Sequence, residues 1–140
     1  MDVGVVMAFQ SSHNQPLSDL EIYQKEVAIA ELAEPLGFSS IWGVEHHFTN
    51  YTMCPNPLQF LTYMAGKTKT IKLGTAALIL PWHKDPLRIA TDIAMLDNLS
   101  NGRVIVGLGR GLGRVEYDGF GISMDSSRDR FNEAAPMIIN

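Results

Sequence analysis

Three stretches of this sequence carry residue types able to do chemistry. The first is Glu45-His46-His47-Phe48, a carboxylate followed by two imidazoles. Histidine exchanges protons near neutral pH, so an imidazole here can move a proton or hold a substrate oxygen. The second is Gly107-Leu108-Gly109-Arg110-Gly111-Leu112-Gly113, a guanidinium among glycines that leave backbone N–H groups accessible. A guanidinium fork matches the oxygens of a phosphate. The third is Gly74-Thr75-Ala76-Ala77, small residues inside an Ile- and Leu-rich run. They leave room for something flat to approach the backbone. Each stretch also has a plainer reading. A bare His-His pair is more often a surface or capping pair, a glycine-rich turn can carry a solvated arginine, and small residues can admit a close helix contact.

The elements that must position these residues alternate between strand and helix. A first strand is expected from Val3 to Phe9, an apolar run of the kind covered on both faces. The first helix starts at Ser18, where Ser18-Asp19-Leu20-Glu21 reads as a capping box. Its apolar stripe is Leu20, Tyr23, Val27 and Ala30, with Gly37 as its C′ residue and Pro35 too late in the helix to be part of it. A second strand covers Ser39 to Glu45, a second helix Leu58 to Lys67 and a third strand Ile71 to Leu80. Asp85-Pro86 opens a third helix whose Ile89, Ile93 and Leu96 face one way, and Asn101-Gly102 closes it. A fourth strand covers Val104 to Leu108. The last helix starts at Ser126 or Ser127 and is bent or broken at Pro136. Asp92, Arg88, Asp97 and Arg103 read as scaffold, with an Asp97–Arg103 ion pair tying a helix end to the next strand.

This alternation implies parallel pairing with right-handed crossovers. It fits either an open doubly wound sheet or the start of a barrel. No G-x-G-x-x-G follows the first strand, which weakens the dinucleotide-binding form of the open sheet. In both folds the site forms at the C-terminal ends of the strands, where the first two stretches lie. Alternation along the second strand puts Ile41, Gly43 and Glu45 on one face and Ser40, Trp42 and Val44 on the other. A carboxylate is costly to bury under helices, so Glu45 is expected to point into the barrel with His46 and His47 at its rim.

Composition narrows the class. The 140 residues are 46% hydrophobic and 19% charged, as in a globular domain with a real core. A formal net charge of -4 argues against nucleic acid as a partner. The acidic start, Met1-Asp2, is unlike a secretory signal, and no apolar run reaches the roughly 20 residues that span a bilayer, so a cytoplasmic protein without membrane contact is expected. The single cysteine, Cys54, is expected to be a buried or loop thiol, and no Cys/His cluster has metal-ligand spacing.

Taken in order, the segments resemble the bacterial luciferase-like family of flavin-dependent monooxygenases. They are Ile41-Trp42-Gly43-Val44-Glu45-His46-His47-Phe48-Thr49, Leu73-Gly74-Thr75-Ala76-Ala77-Leu78-Ile79-Leu80-Pro81, His83-Lys84-Asp85-Pro86-Leu87-Arg88, the run from Asp92 to Arg103, Gly109-Arg110-Gly111 and Phe120-Gly121. The resemblance implies an α/β fold of the (β/α)₈ TIM-barrel type, here the first four β/α units. Residues 1–140 are then the N-terminal portion of one barrel domain, because such a barrel takes about 250 residues, and the sequence reads as truncated. It implies reduced FMN, supplied by a flavin reductase, and dioxygen that together oxidise a small organic substrate, an aldehyde in the luciferases. A deazaflavin is the alternative cofactor. His46 matches the catalytic histidine, Arg110 the arginine holding the flavin phosphate, and Glu45, Ala77 and Leu112 positions near the flavin. The Ala76–Ala77 bond matches a cis peptide beside the ring. Gly109 stands where luciferase has a reactive cysteine, which points to a general family member. A homo- or heterodimer is expected, since half a barrel leaves strand edges unpaired. A non-catalytic flavin-binding subunit or an inactive fragment of a longer monooxygenase is the alternative reading.

Overall fold

The computed structural model describes residues 1–11 and 17–139. Its elements are β1 (Gly4–Met7), α1 (Asp19–Ala33), β2 (Ser40–Gly43), α2 (Pro57–Lys67), β3 (Lys72–Thr75), β4 (Leu78–Ile79), α3 (Pro86–Ser100), β5 (Val104–Ile105), β6 (Leu108–Gly109), α4 (Arg114–Phe120) and α5 (Ser127–Ile139). Short 3₁₀ turns cover Leu80–Trp82 and Met124–Ser126.

Local chemistry sets the helix ends. Ser18 and Glu21 form the expected capping box at α1. At α2 the Asn56 side chain accepts the Gln59 N–H, with Pro57 in the first helical position, where its missing N–H costs nothing. The Asp85 carboxylate accepts the N–H groups of Leu87 and Arg88 to open α3, and Asn101 closes it at φ 57°, the left-handed region. α1 stops at Ala33, short of Pro35, and Gly37 takes φ 84°. α5 runs through Pro136 to Ile139, where a bend or break was expected.

The main sheet is parallel in the order β1-β2-β3-β5. That order decides between the two candidate architectures. Strands added always on the same side, each through a right-handed crossover, put all their helices on one face. A doubly wound sheet reverses direction and covers both faces. The order here is that of successive barrel units. On the helical face, Met7, Ile41 and Leu73 are buried against Ile22, Ala30 and Ala33 of α1, Leu61 and Met64 of α2, and Ile89 and Leu96 of α3. The opposite face carries Val6, Trp42, Gly74 and Ile105 in one row, with Val6 58% and Ile105 38% exposed.

Four expectations need correction. The buried stripe of α1 is Ile22, Ala30 and Ala33; Leu20 is 66% exposed and Tyr23 lies on the flank, its hydroxyl donating to the Met53 carbonyl. Glu26, one turn after Ile22 on the same face, accepts the Phe9 N–H. Alternation along β2 does not reach Glu45: Ile41 faces the helices, and regular strand ends at Gly43, which frees the chain to redirect the carboxylate. The third and fourth strands are each broken, into β3 and β4 and into β5 and β6, and the outer pieces form a parallel pair of their own. Finally, Arg103 does not pair with Asp97. Only 6% exposed, it donates to the carbonyls of Ser100, Ile71, Ala65 and Thr68 and to the Thr68 hydroxyl. The carbonyls of Ala65, Thr68 and Ser100 lie at the C-terminal ends of α2 and α3, so the partial negative charge of two helix C-termini helps solvate the buried cation.

Candidate functional site

The breaks in the strands build the site. β3 ends at Thr75, whose hydroxyl donates to the Gly107 carbonyl and accepts the Gly107 N–H, bridging the gap between the third and fourth strands. The chain then turns through a cis Ala76–Ala77 peptide, with the Ala76 N–H on the Gly43 carbonyl, and resumes as β4 beside β6. The glycines around Arg110 are explained by this crowding. A Cβ on Gly107 would stand 2.2 Å from the Thr75 carbonyl oxygen, and one on Gly109 2.7 Å from Ile79. Gly111 has φ 78° and lies against Ile79 and Trp82. Gly74 is small because the Trp42 ring, not a helix, lies on it, 2.3 Å from where its Cβ would be. Of the four small residues, Ala76 and Ala77 face the opening.

At this C-terminal mouth lies a cavity of about 490 Å³. Glu45, His46, Ala76, Ala77, Arg110 and Leu112 all line it, together with Ile79, Trp82 and Glu116. The six residues matched to the family's site are therefore on one surface, although they span 68 positions from Glu45 to Leu112, while His47 lies outside the lining.

Glu45 is 3% exposed and its carboxylate is fully occupied. Oε1 lies 3.1 Å from both His47 Nε2 and His83 Nε2, and Oε2 accepts the Ile79 N–H at 2.7 Å. Burial alone raises its pKa. Hydrogen bonds from His47 and His83, the charge of His83 and the Ile79 N–H outweigh burial and hold the carboxyl below its ordinary range. Glu45 thus clamps β4 to the end of β2. His47 is pinned further by edge-to-face contacts with Trp82 and Phe120, at centroid distances of 5.4 and 4.8 Å. His46 faces the other way, its Nδ1 3.0 Å from Oε1 of the buried Glu116. The Arg110 guanidinium donates to Ser127 at 3.1 Å, and its carbonyl accepts the Tyr117 hydroxyl.

His83, Glu116, Trp82, Tyr117 and Ser127 were not singled out as site residues from the sequence. Glu116 lies 70 positions from His46, on a seven-residue helix too short to announce itself by periodicity. His83 stood inside a family motif, the one available signal.

The donor set fits a flat, phosphorylated ligand. One cation stands at one end, small residues form the wall, an imidazole sits at the rim, and the buried Trp82 Nε1 has no acceptor among the described residues. No group of three or more His, Cys, Asp or Glu among the described residues could hold a metal ion, and no described helix is long and apolar enough to cross a membrane.

Fold and mouth together define a parallel βα protein of barrel order with a cavity at its C-terminal strand ends. Residues 1–138 match the family described as luciferase-like monooxygenase, and the chain belongs to that family. It is 36% identical over 135 residues to the oxygenase component of the flavin-dependent trigonelline monooxygenase of Acinetobacter baylyi, covering 91% of this chain and 37% of that protein. The monooxygenase RslO1 of Streptomyces bottropensis superposes with a TM-score of 0.89 at 36% identity, over 99% of this chain and 42% of that one. The oxygenating constituent of 3,6-diketocamphane monooxygenase of Pseudomonas putida, a type II Baeyer-Villiger enzyme in complex with FMN, gives a TM-score of 0.86 at 24% identity, over 99% of this chain and 38% of that one. That last likeness is one of fold. The chain spans less than half the length of each of these proteins.

Proposed function

We propose that this chain is the flavin-holding portion of an oxygenase that uses reduced FMN and dioxygen to oxidise a small, aldehyde-like organic substrate. The observation that carries this is the convergence of Glu45, His46, Ala76, Ala77, Arg110 and Leu112 on one cavity in a chain of a monooxygenase family. Reduced FMN held there would supply the electrons that activate dioxygen.

The chain's own residues have distinct parts. Arg110, braced by Ser127, would hold the phosphate through its remaining N–H donors. Ala76 and Ala77 present backbone and methyl groups to a flat ring, and Leu112 adds apolar contact at the lip. Glu45 holds that wall in place through Ile79. His46, with its side chain 40% exposed, holds or moves a proton at the substrate. A reductase partner supplying the reduced flavin accords with the A. baylyi relative being an oxygenase component.

Arg110→Ala is expected to weaken FMN binding by about 10- to 100-fold, since a charged hydrogen bond contributes roughly 1.5–3 kcal/mol. Riboflavin lacks the phosphate, and its binding should be unchanged. Quenching of flavin fluorescence reads both. Equal FMN affinity in wild type and variant would remove the phosphate role from Arg110. A folded chain that binds neither flavin would overturn the function, and tighter binding of a deazaflavin would reassign the cofactor.

A further inference from the structure

We infer that Glu116 is a positioning residue that fixes the tautomer of His46, with the proton on Nδ1 and the lone pair on Nε2. This rests on the cavity being the site proposed above.

Glu116 is 3% exposed, and its Oε1 lies 3.0 Å from His46 Nδ1 and 3.0 Å from the His47 backbone nitrogen. A backbone N–H can only donate, so Oε1 is an acceptor at this junction. Nδ1 at the same distance from the same oxygen is then the second donor. A neutral imidazole carries one N–H, which leaves Nε2 as the acceptor on the ring's other edge. Nε2 can take a proton from a substrate oxygen, and the imidazolium so formed keeps its Nδ1–H on a carboxylate charge.

The seat for that carboxylate is built into the fold. Glu116 occupies the third position of α4, after the N-cap Gly113. A glutamate there ordinarily reaches back to the N-cap N–H. Here its Oε1 is turned to the loop after β2, and the room comes from Gly113: a Cβ on that residue would stand 2.1 Å from Glu116 Oε2. The neighbouring Tyr117, completely buried, anchors α4 through its hydroxyl on the Arg110 carbonyl. One short helix thus orients the imidazole and holds the arginine loop.

The test is long-range ¹⁵N–¹H correlation of the histidine rings in the 140-residue chain, with the imidazoles neutral and the fold checked by circular dichroism. In the wild type His46 should carry its proton on Nδ1. Glu116→Leu removes the acceptor and should shift population to the Nε2–H form. Glu116→Gln retains an acceptor oxygen and should restore the wild-type pattern. Gly113→Ala displaces the carboxylate and should act like Glu116→Leu, which keeps the inference testable if the leucine variant does not fold. A wild-type proton on Nε2, or an unchanged tautomer in the folded Glu116→Leu or Gly113→Ala protein, would overturn it. The readout needs no flavin, so its failure is separate from failure of the FMN titration.

Discussion

At the scale of single residues, the cavity wall is organised by two buried carboxylates with opposite partners. Glu45 takes His47 and His83, and Glu116 takes His46. Each histidine of the adjacent pair is therefore held by a different acid, which separates a ring packed into an aromatic cluster from a ring facing the opening. The one thiol has no part in this. Cys54 is 2% exposed; burial pushes its pKa up to about 12, against the opposing Asn56 backbone hydrogen bond and with help from the charge of Glu45. Because the thiolate is the reactive form, iodoacetamide at pH 8 should modify the folded chain on the order of 100-fold more slowly than the urea-unfolded chain. Comparable rates would show Cys54 to be accessible. A buried or loop thiol was the expectation from a lone cysteine in a chain with a real core, and Cys54 is both. Apart from His47, two positions from Glu45, the carboxylates' partners were not legible, because hydrogen bonds across 34 to 70 positions (Glu45 to Ile79, His46 to Glu116) leave no periodic trace.

At the scale of elements, the joints carry the specificity. Glu34, the C-cap of α1, accepts the N–H groups of Lys69, Thr70 and Ile71 and the Thr70 hydroxyl, fastening α1 to the start of β3. Its slight burial raises its pKa, but those donors prevail and bring it from 4.5 down to about 2. A folded pKa below the unfolded one means the stabilisation is complete above pH 4.5 and is lost as pH falls toward 2. Solvent screens so exposed a group, so the effect is modest. Thermal melts should show wild type more stable than Glu34→Gln at neutral pH, with the gap closing between pH 4.5 and pH 2. A gap independent of pH would contradict the clamp. Helix starts at Ser18 and Asp85 were readable because a cap is a local contact within three residues. The breaks in the third and fourth strands were not, since Gly74 and Gly107 are required by the Trp42 ring and the Thr75 carbonyl, both supplied by other strands.

At the scale of the molecule, the four-stranded sheet has two inner strands and two outer ones. β2 and β3 are paired on both sides, while β1 and β5 are each paired on one. The β4–β6 pair has two residues per strand. Backbone hydrogen exchange should therefore be slowest in Ile41–Gly43 and Leu73–Thr75, faster in β1 and β5, and fastest in β4 and β6. Equal protection throughout would mean that the mouth does not open apart from the sheet. A mouth of lower stability than its scaffold suits a site that must admit a ligand.

Read alone, the sequence determined that strands and helices alternate, that the pairing is parallel, and that Glu45, His46 and Arg110 fall at strand ends. These are consequences of local periodicity, caps and the geometry of crossovers. Its alternation by itself left the barrel and the doubly wound sheet level, because both share the same local pattern, and only the resemblance of its motifs to a known family implied the barrel. Tertiary structure alone decided the strand order, the redirection of Glu45 after Gly43, the carbonyl cage of Arg103 and the pairing of His46 with Glu116. Each depends on which distant backbone arrives beside a residue, and that is set only when the whole sheet closes on its helices.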